Sequence, residues 1–399
     1  MSAIRLEFHP LTFVEERDGI MVGRFDTESY AVLPADGAAL LHRLHDGMPL
    51  SDAVDWYRAT FGEPIDMADF VASLHDLGFV KVDGEESIES PRVRFQALGR
   101  AAFSPVAWLC YAGLACSCLL AMAAHPQLRP QAQNVFFSSS LIVVQVLLVL
   151  VQLPAVFWHE WFHVLAARRL GLPSRLGVSR RLYFVVFETQ INGLLGVPRK
   201  QRYLPFLAGM LADVLLFCGL TLGAAVDLDG GLSWVGRFAL AIAYTVLLRL
   251  AWQFYVFLRT DLYYVFTTAL GCTNLHEATS SYLRDRFGWL PGVKRPTGDA
   301  VTWSPRDRQV APWFALLTVG GVGFLLSTVL FGIIPVVTEF AVRLGSALAH
   351  GAAEGARFWD SAMFLLIVVV QLVVLPLLAG RSRKSRPRSE SSNLRGASA

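Results

Sequence analysis

The chain has 399 residues, 54% of them hydrophobic and only 17% charged. Soluble domains carry about 25% charged residues, so the deficit argues against a disordered chain, a nucleic-acid binder and an ordinary cytosolic enzyme. The formal net charge of +3 is unevenly spread: residues 1–100 hold 9 Lys and Arg against 18 Asp and Glu, a balance of −9, and the remainder carries +12.

Arg5, Glu7, Glu15, Glu16 and Asp18 stand in the first 20 residues, a charge density that no secretory signal peptide carries. Residues 1–82 read as a small α+β domain. Apolar runs at Ile20–Val22 and Tyr30–Leu33 flank a turn-rich Gly23–Ser29 and predict a hairpin. Three amphipathic helices follow. Asp36 is placed to cap the first, which buries Leu40, Leu41 and Leu44; Ser51 the second, with Val54, Tyr57 and Phe61 inward; Asp66 the third, with Phe70, Val71, Leu74 and Leu77 on one side. His9, His42, His45 and His75 are scattered and read as surface residues. Residues 83–100, charged and carrying Pro91, suit a linker.

Beyond residue 100 the composition changes. About 20 apolar residues span a bilayer, and six such stretches occur, at roughly 102–124, 139–167, 203–226, 238–258, 313–336 and 359–379. Pro154 predicts a kink in the second. The Arg/Ser-rich residues 381–399 read as a disordered basic tail in touch with anionic lipid. Cys110, Cys116, Cys118, Cys218 and Cys272 form no paired C-x-x-C motifs, so neither a zinc ribbon nor a disulfide framework is indicated. Eight Lys and Arg fall in 168–202, seven in 259–312 and six in the tail, whereas the alternate loops are poor in base. In a six-span arrangement these basic segments share one side, which the positive-inside rule makes cytoplasmic, together with both termini.

Residues 159–163 read His-Glu-Trp-Phe-His. Two histidines at i and i+4 lie on one helix face and can reach one zinc ion. Glu160 beside them can take the proton of a water as it attacks a carbonyl. His163 lies five residues before Arg168, roughly 8 Å below the cytoplasmic boundary at helical rise, and ionisable groups at such depth are costly and usually functional. A catalytic zinc needs a third protein ligand. Glu188, Asp213 and Asp261 compete. Asp261 follows the fourth span on the side of His163 and is preferred; Asp213, inside the third span, is at a depth to pair with Arg249 in the fourth; Glu188 lies in Tyr183–Thr189, a stretch suited to a membrane-dipping hairpin near the site. His276-Glu277 suits either a lining of the substrate path or plain solvation.

His159-Glu160-Trp161-Phe162-His163, followed by Val-Leu-Ala-Ala-Arg-Arg-Leu-Gly at 164–171, resembles the active-site helix of site-2-protease-type membrane metallopeptidases. Ala208-Gly209 in the next span and Asp261-Leu262-Tyr263-Tyr264, similar to an Asp-Gly-Tyr-Tyr that opens a later helix, extend the likeness. The resemblance implies zinc ligation by His159, His163 and Asp261, with Glu160 as the base. The Gly of that second motif and the fuller Asn/Pro-rich motif of the regulatory members are missing. Residues 1–82 resemble a PqqD-like, winged-helix-like peptide-binding domain, through Asp18-Gly19, Thr27-Glu28-Ser29-Tyr30, Leu33, Gly37, Leu41, Leu44, Phe61-Gly62, Leu74 and Gly78-Phe79. Such domains capture a leader peptide as an added strand; the alternative for residues 1–82 is a regulatory domain that packs on the membrane part.

The expectation is a mainly α, polytopic membrane protein with a small α+β head (1–82), a linker (83–100), a membrane metallopeptidase domain (101–380) and a tail (381–399). It hydrolyses a peptide bond near the cytoplasmic face in the maturation of a ribosomally made peptide; its partners are that peptide or small protein and the bilayer, and no nucleic acid. The competing expectation is a non-hydrolytic zinc-containing receptor, export or immunity partner. Regulated cleavage of a membrane-spanning substrate stands as a variant of the first.

Overall fold

Strands β1 (Thr12–Glu16), β2 (Gly19–Arg24) and β3 (Ser29–Leu33) pair antiparallel in that order, with Val14 opposite Met21 and Ile20 opposite Leu33. They open the computed structural model, which describes residues 5–16, 19–82, 93–181, 184–226, 231–272, 274–287, 303–351 and 355–371, with the side chains of 178–188 outside that set. The hairpin expected from the alternating apolar runs is β2–β3; β1 adds an edge strand. Helices α1 (Ala35–His45) and α3 (Met67–Asp76) pack on the sheet, and α2 (Leu50–Phe61) packs against α1. Val22, Leu41, Leu74, Phe79 and Val80 form one buried cluster, and Leu40, Leu44, Ala53 and Tyr57 a second.

Several details differ from the sequence reading. Asp66 caps α3 by accepting from the amides of Ala68 and Asp69, but Pro34 and Pro49 hold the cap positions of α1 and α2. Their fixed φ already suits the entry to a helix, which frees Asp36 to accept the Tyr57 hydroxyl at 2.5 Å and Ser51 to bond Asp52. Phe61 is exposed, stacked edge-on against Trp56, and Ala53 takes the inward place. His9 is buried, because its amide donates to the Phe79 carbonyl and ties the N-terminal segment to the end of the domain. The expected linker is helical at its end: α4 (Gln96–Ala102) lies there, while 83–92 fall outside the described residues. Gly99 lets α4 approach the helix Leu141–Arg169 closely, since a Cβ would sit 2.4 Å from the Leu165 carbonyl oxygen.

The remainder is mainly α and polytopic. Among the described residues five helices are long and apolar enough to cross a membrane: α5 (Pro105–Ala124), α6 (Leu141–Arg169), α7 (Arg199–Ala225), α8 (Trp234–Gln253) and the continuous Pro305–Ala349. Between α6 and α7 lies an antiparallel hairpin of β4 (Ser174–Arg181) and β5 (Phe184–Ile191). Two short helices, α9 (Asp261–Leu270) and α10 (Leu275–Phe287), follow α8. The fifth long helix comprises α11 (Pro305–Thr328), a π turn at Val329–Ile333 and α12 (Ile334–Ala349), so residues expected in a loop after 336 continue the helix. The sixth expected span enters as α13 (Ala356–Val369); residues 372–399, including the expected tail, are outside the described set. α6 runs unbroken through Pro154. Residues 254–258, expected in the fourth span, instead form a turn and a 3-10 helix that bring the chain round to α9.

Candidate metal centre

α6 presents His159 and His163 one turn apart, with ring centroids 4.9 Å from each other. Both are buried. The Nδ1 of His163 is 2.6 Å from the carbonyl oxygen of Pro205 and that of His159 is 3.0 Å from Asp213 Oδ2. Neither a carbonyl nor a carboxylate can donate, so each Nδ1 carries the hydrogen and each Nε2 is left with its lone pair. The two Nε2 atoms point at one another across 3.2 Å.

The third corner comes from the chain reversal after α8. Arg259 takes a left-handed backbone, φ 57°, and Thr260 precedes the first residue of α9, Asp261. The Thr260 hydroxyl donates to the Gln253 carbonyl and the Asp261 amide donates to the Gln253 side chain, which fixes the start of α9 against the end of α8. Asp261 Oδ2 then lies 3.3 Å from both imidazole Nε2 atoms. That oxygen is buried and has no hydrogen-bond partner among the described residues.

Two lone pairs and a carboxylate oxygen converge with no hydrogen between them, an arrangement that a cation would stabilise. Tetrahedral ligands bound at about 2.0–2.1 Å stand about 3.3 Å apart, close to the observed edges. α7 leaves room for an ion: a Cβ on Gly209 would fall 2.3 Å from His163 Nε2 and 2.4 Å from His159 Nε2. Glu160 belongs to the same group, with a carboxylate oxygen within 4.8 Å of ligating atoms of both histidines. Its Oε2 is 2.7 Å from the hydroxyl of Thr189 on β5.

These groups floor a cavity of about 690 Å³. Val156, Ile191, Leu194, Phe206, Leu248 and Trp252 give it largely apolar walls.

Asp213 stands behind His159, on its Nδ1 side, and is fully buried. Arg249 grips it with two bonds, Nε to Oδ2 at 2.9 Å and Nη2 to Oδ1 at 2.5 Å, and reaches Gln152 Oε1 at 3.4 Å. Gln152 in turn donates to Thr245. The pair expected from matched depth is therefore present and also orients a histidine. The Glu188 side chain lies outside the described residues. Glu277 pairs with Arg259 at the cavity wall. Sequence reading missed Thr189, which meets Glu160 across 29 residues without any periodic signal. It also missed Gln152, although a polar residue seven positions before His159 is on the same helix face and was open to detection. No protein-family model, curated protein or solved structure matches the chain.

Proposed function

We propose that the protein is a membrane-embedded zinc metalloendopeptidase that cuts a peptide bond near the cytoplasmic face, in the maturation of a ribosomally made peptide. The supporting observation is the triangle of His159 Nε2, His163 Nε2 and Asp261 Oδ2, with edges of 3.2–3.3 Å, beside the Glu160 carboxylate. Two imidazoles and one carboxylate with an open fourth position are a donor set of catalytic zinc sites. Zinc held there supplies Lewis acidity toward the carbonyl and lowers the pKa of water.

Glu160 accepts one proton of the attacking water while the hydroxyl part bonds to the carbonyl carbon. The same carboxyl then gives that proton to the departing amine as the C–N bond breaks, so no proton is gained or lost. Thr189 keeps the carboxylate aimed at the cavity. Asp213, held by Arg249, fixes the ring of His159, as the Pro205 carbonyl fixes that of His163. The apolar walls exclude bulk water and favour a peptide with apolar side chains around the cut. That peptide must be extended, because a helix hides its carbonyls in hydrogen bonds. β5, adjoining the site, is suited to pair with it, and the N-terminal domain to capture its leader. The basic loops support a cytoplasmic location for both termini in this reading.

The test combines metal analysis with cleavage of a candidate precursor. Glu160→Gln is expected to retain zinc and lose cleavage, whereas His159→Ala and Asp261→Ala lose the metal. Cleavage by Glu160→Gln at the wild-type rate would reject the assigned base. Peptide and zinc binding without any cleavage by the unaltered protein would favour the receptor reading.

A further inference from the structure

The N-terminal domain is seated on the short segment that leaves the site. Glu28, at the tip of the β2–β3 hairpin with a left-handed φ of 54°, accepts the Gly193 amide at 2.6 Å. Glu16, the last residue of β1, pairs with Arg202 at 2.8 Å and Arg199 at 3.3 Å. Arg202 is buried and donates to the carbonyls of Leu195 and Val197, so one guanidinium clamps the segment and the head together. Thr12 closes on Gly196, where a Cβ would lie 2.8 Å from its hydroxyl. The signs agree with the charge balance: an acidic head meets basic residues at the start of α7.

The other end of the same segment is the site. Ile191 and Leu194 line the cavity, and the Thr189 hydroxyl lies 2.7 Å from Glu160 Oε2 and 3.1 Å from the Glu160 carbonyl oxygen. Thr189 to Gly193 is four residues, at most about 14 Å of chain. β5 is paired with β4 as far as Ile191 opposite Ser174, and Ser174 is held to α6 by Arg168. A segment this short and this well paired has little slack to absorb a shift at Gly193.

We propose that Thr189 is a positioning residue for Glu160 and that the N-terminal domain sets its position through residues 189–197, so that seating of the head and aim of the base are coupled. The first half rests on the peptidase reading; the coupling does not. Coupling between two contacts is reciprocal: releasing the head loosens Thr189, and removing the Thr189 hydroxyl loosens the seat of Glu28.

The experiment uses the full-length protein in nanodiscs. Hydrogen exchange is followed at 189–197 and at the hairpin tip, 24–30, alongside zinc content and steady-state cleavage. Thr189→Val is expected to lower kcat about 10- to 100-fold, the usual cost of losing a partner that orients an active-site group, with zinc content and KM unchanged; Thr189→Ser restores it. Glu16→Gln/Glu28→Gln is expected to raise exchange at 189–197 and to lower kcat with zinc content retained. Unaltered exchange at 189–197 in that double variant overturns the coupling, as does raised exchange with wild-type kcat. Should the wild-type protein cut nothing, the peptidase reading fails by itself, and the reciprocal arm still decides: Thr189→Val must raise exchange at 24–30, and wild-type protection there overturns the proposal.

Discussion

The N-terminal head and the membrane body are built with opposite polarity. In the head Leu40, Leu41, Leu74 and Phe79 are buried and the charged residues of α1–α3 lie mostly outside. In the body large apolar side chains such as Leu109, Leu120 and Trp313 face outward, while His159, His163, Arg202 and Asp213 are inside. Polarity therefore carries different information in the two regions. Burial of apolar surface drives the head to fold in water. Lipid is as apolar as leucine, so in the body association depends on close packing and on polar contacts between helices, and a buried charge marks a place where something is held.

The sharpest way to break this comparison is to add one methyl group. Gly209→Ala puts a Cβ where the two Nε2 lone pairs meet, and zinc content is expected to fall from near one per chain to near zero in folded protein. Gly219→Ala and Gly223→Ala, on the same helix where a Cβ meets nothing within 4 Å, are expected to keep the metal and the fold. Metal analysis of the three variants after size exclusion decides, and full zinc retention by Gly209→Ala would remove the geometric basis of the site.

A smaller effect is expected from the ion pair behind His159. Arg249→Leu leaves Asp213 buried without its countercharge, which costs about 3–5 kcal/mol in comparable buried pairs. Asp213→Asn/Arg249→Leu is expected to recover most of that stability but not the metal, with zinc affinity reduced about 10- to 100-fold. Thermal unfolding and zinc competition separate the two consequences. Recovery of both would make the pair purely structural.

The smallest effect belongs to the head. The Tyr57 hydroxyl bonded to Asp36 holds that carboxyl below its ordinary value of 3.8, and the same bond with burial pushes Tyr57 up to about 12. A carboxylate with a depressed folded pKa contributes fully above its ordinary value and loses that contribution as the pH falls through the folded one. Tyr57→Phe is expected to cost about 1 kcal/mol near neutrality and to flatten the acid limb below about pH 4, as read by near-UV dichroism. An unchanged acid limb would place the stabilisation elsewhere.

What was legible in the sequence follows the same division. The hairpin at Ile20–Leu33, the inward Leu40, Leu41 and Leu44, and the Asp66 cap are local patterns of period and capping, and each is present. The first four spans were legible from apolar length to within about five residues at their ends. The helical continuation to Ala349 was not, because Arg343 and Glu339, a charged pair one turn apart, give the same polar signal as a loop. Within the site, His159 and His163 are set by one helical turn, but the approach of Asp261 depends on a chain reversal about a left-handed Arg259, and the Thr189–Glu160 contact on a hairpin folding back onto α6. Such meetings are made by topology and leave no local trace.

The unequal supports of the two imidazoles have a consequence for genetics. His159 leans on a side chain, so substitution at Asp213 registers in any scan. His163 leans on the main-chain oxygen of Pro205, which every amino acid supplies. A residue-by-residue survey of α7 would therefore remove the first support outright, whereas any residue at 205 still carries a main-chain oxygen.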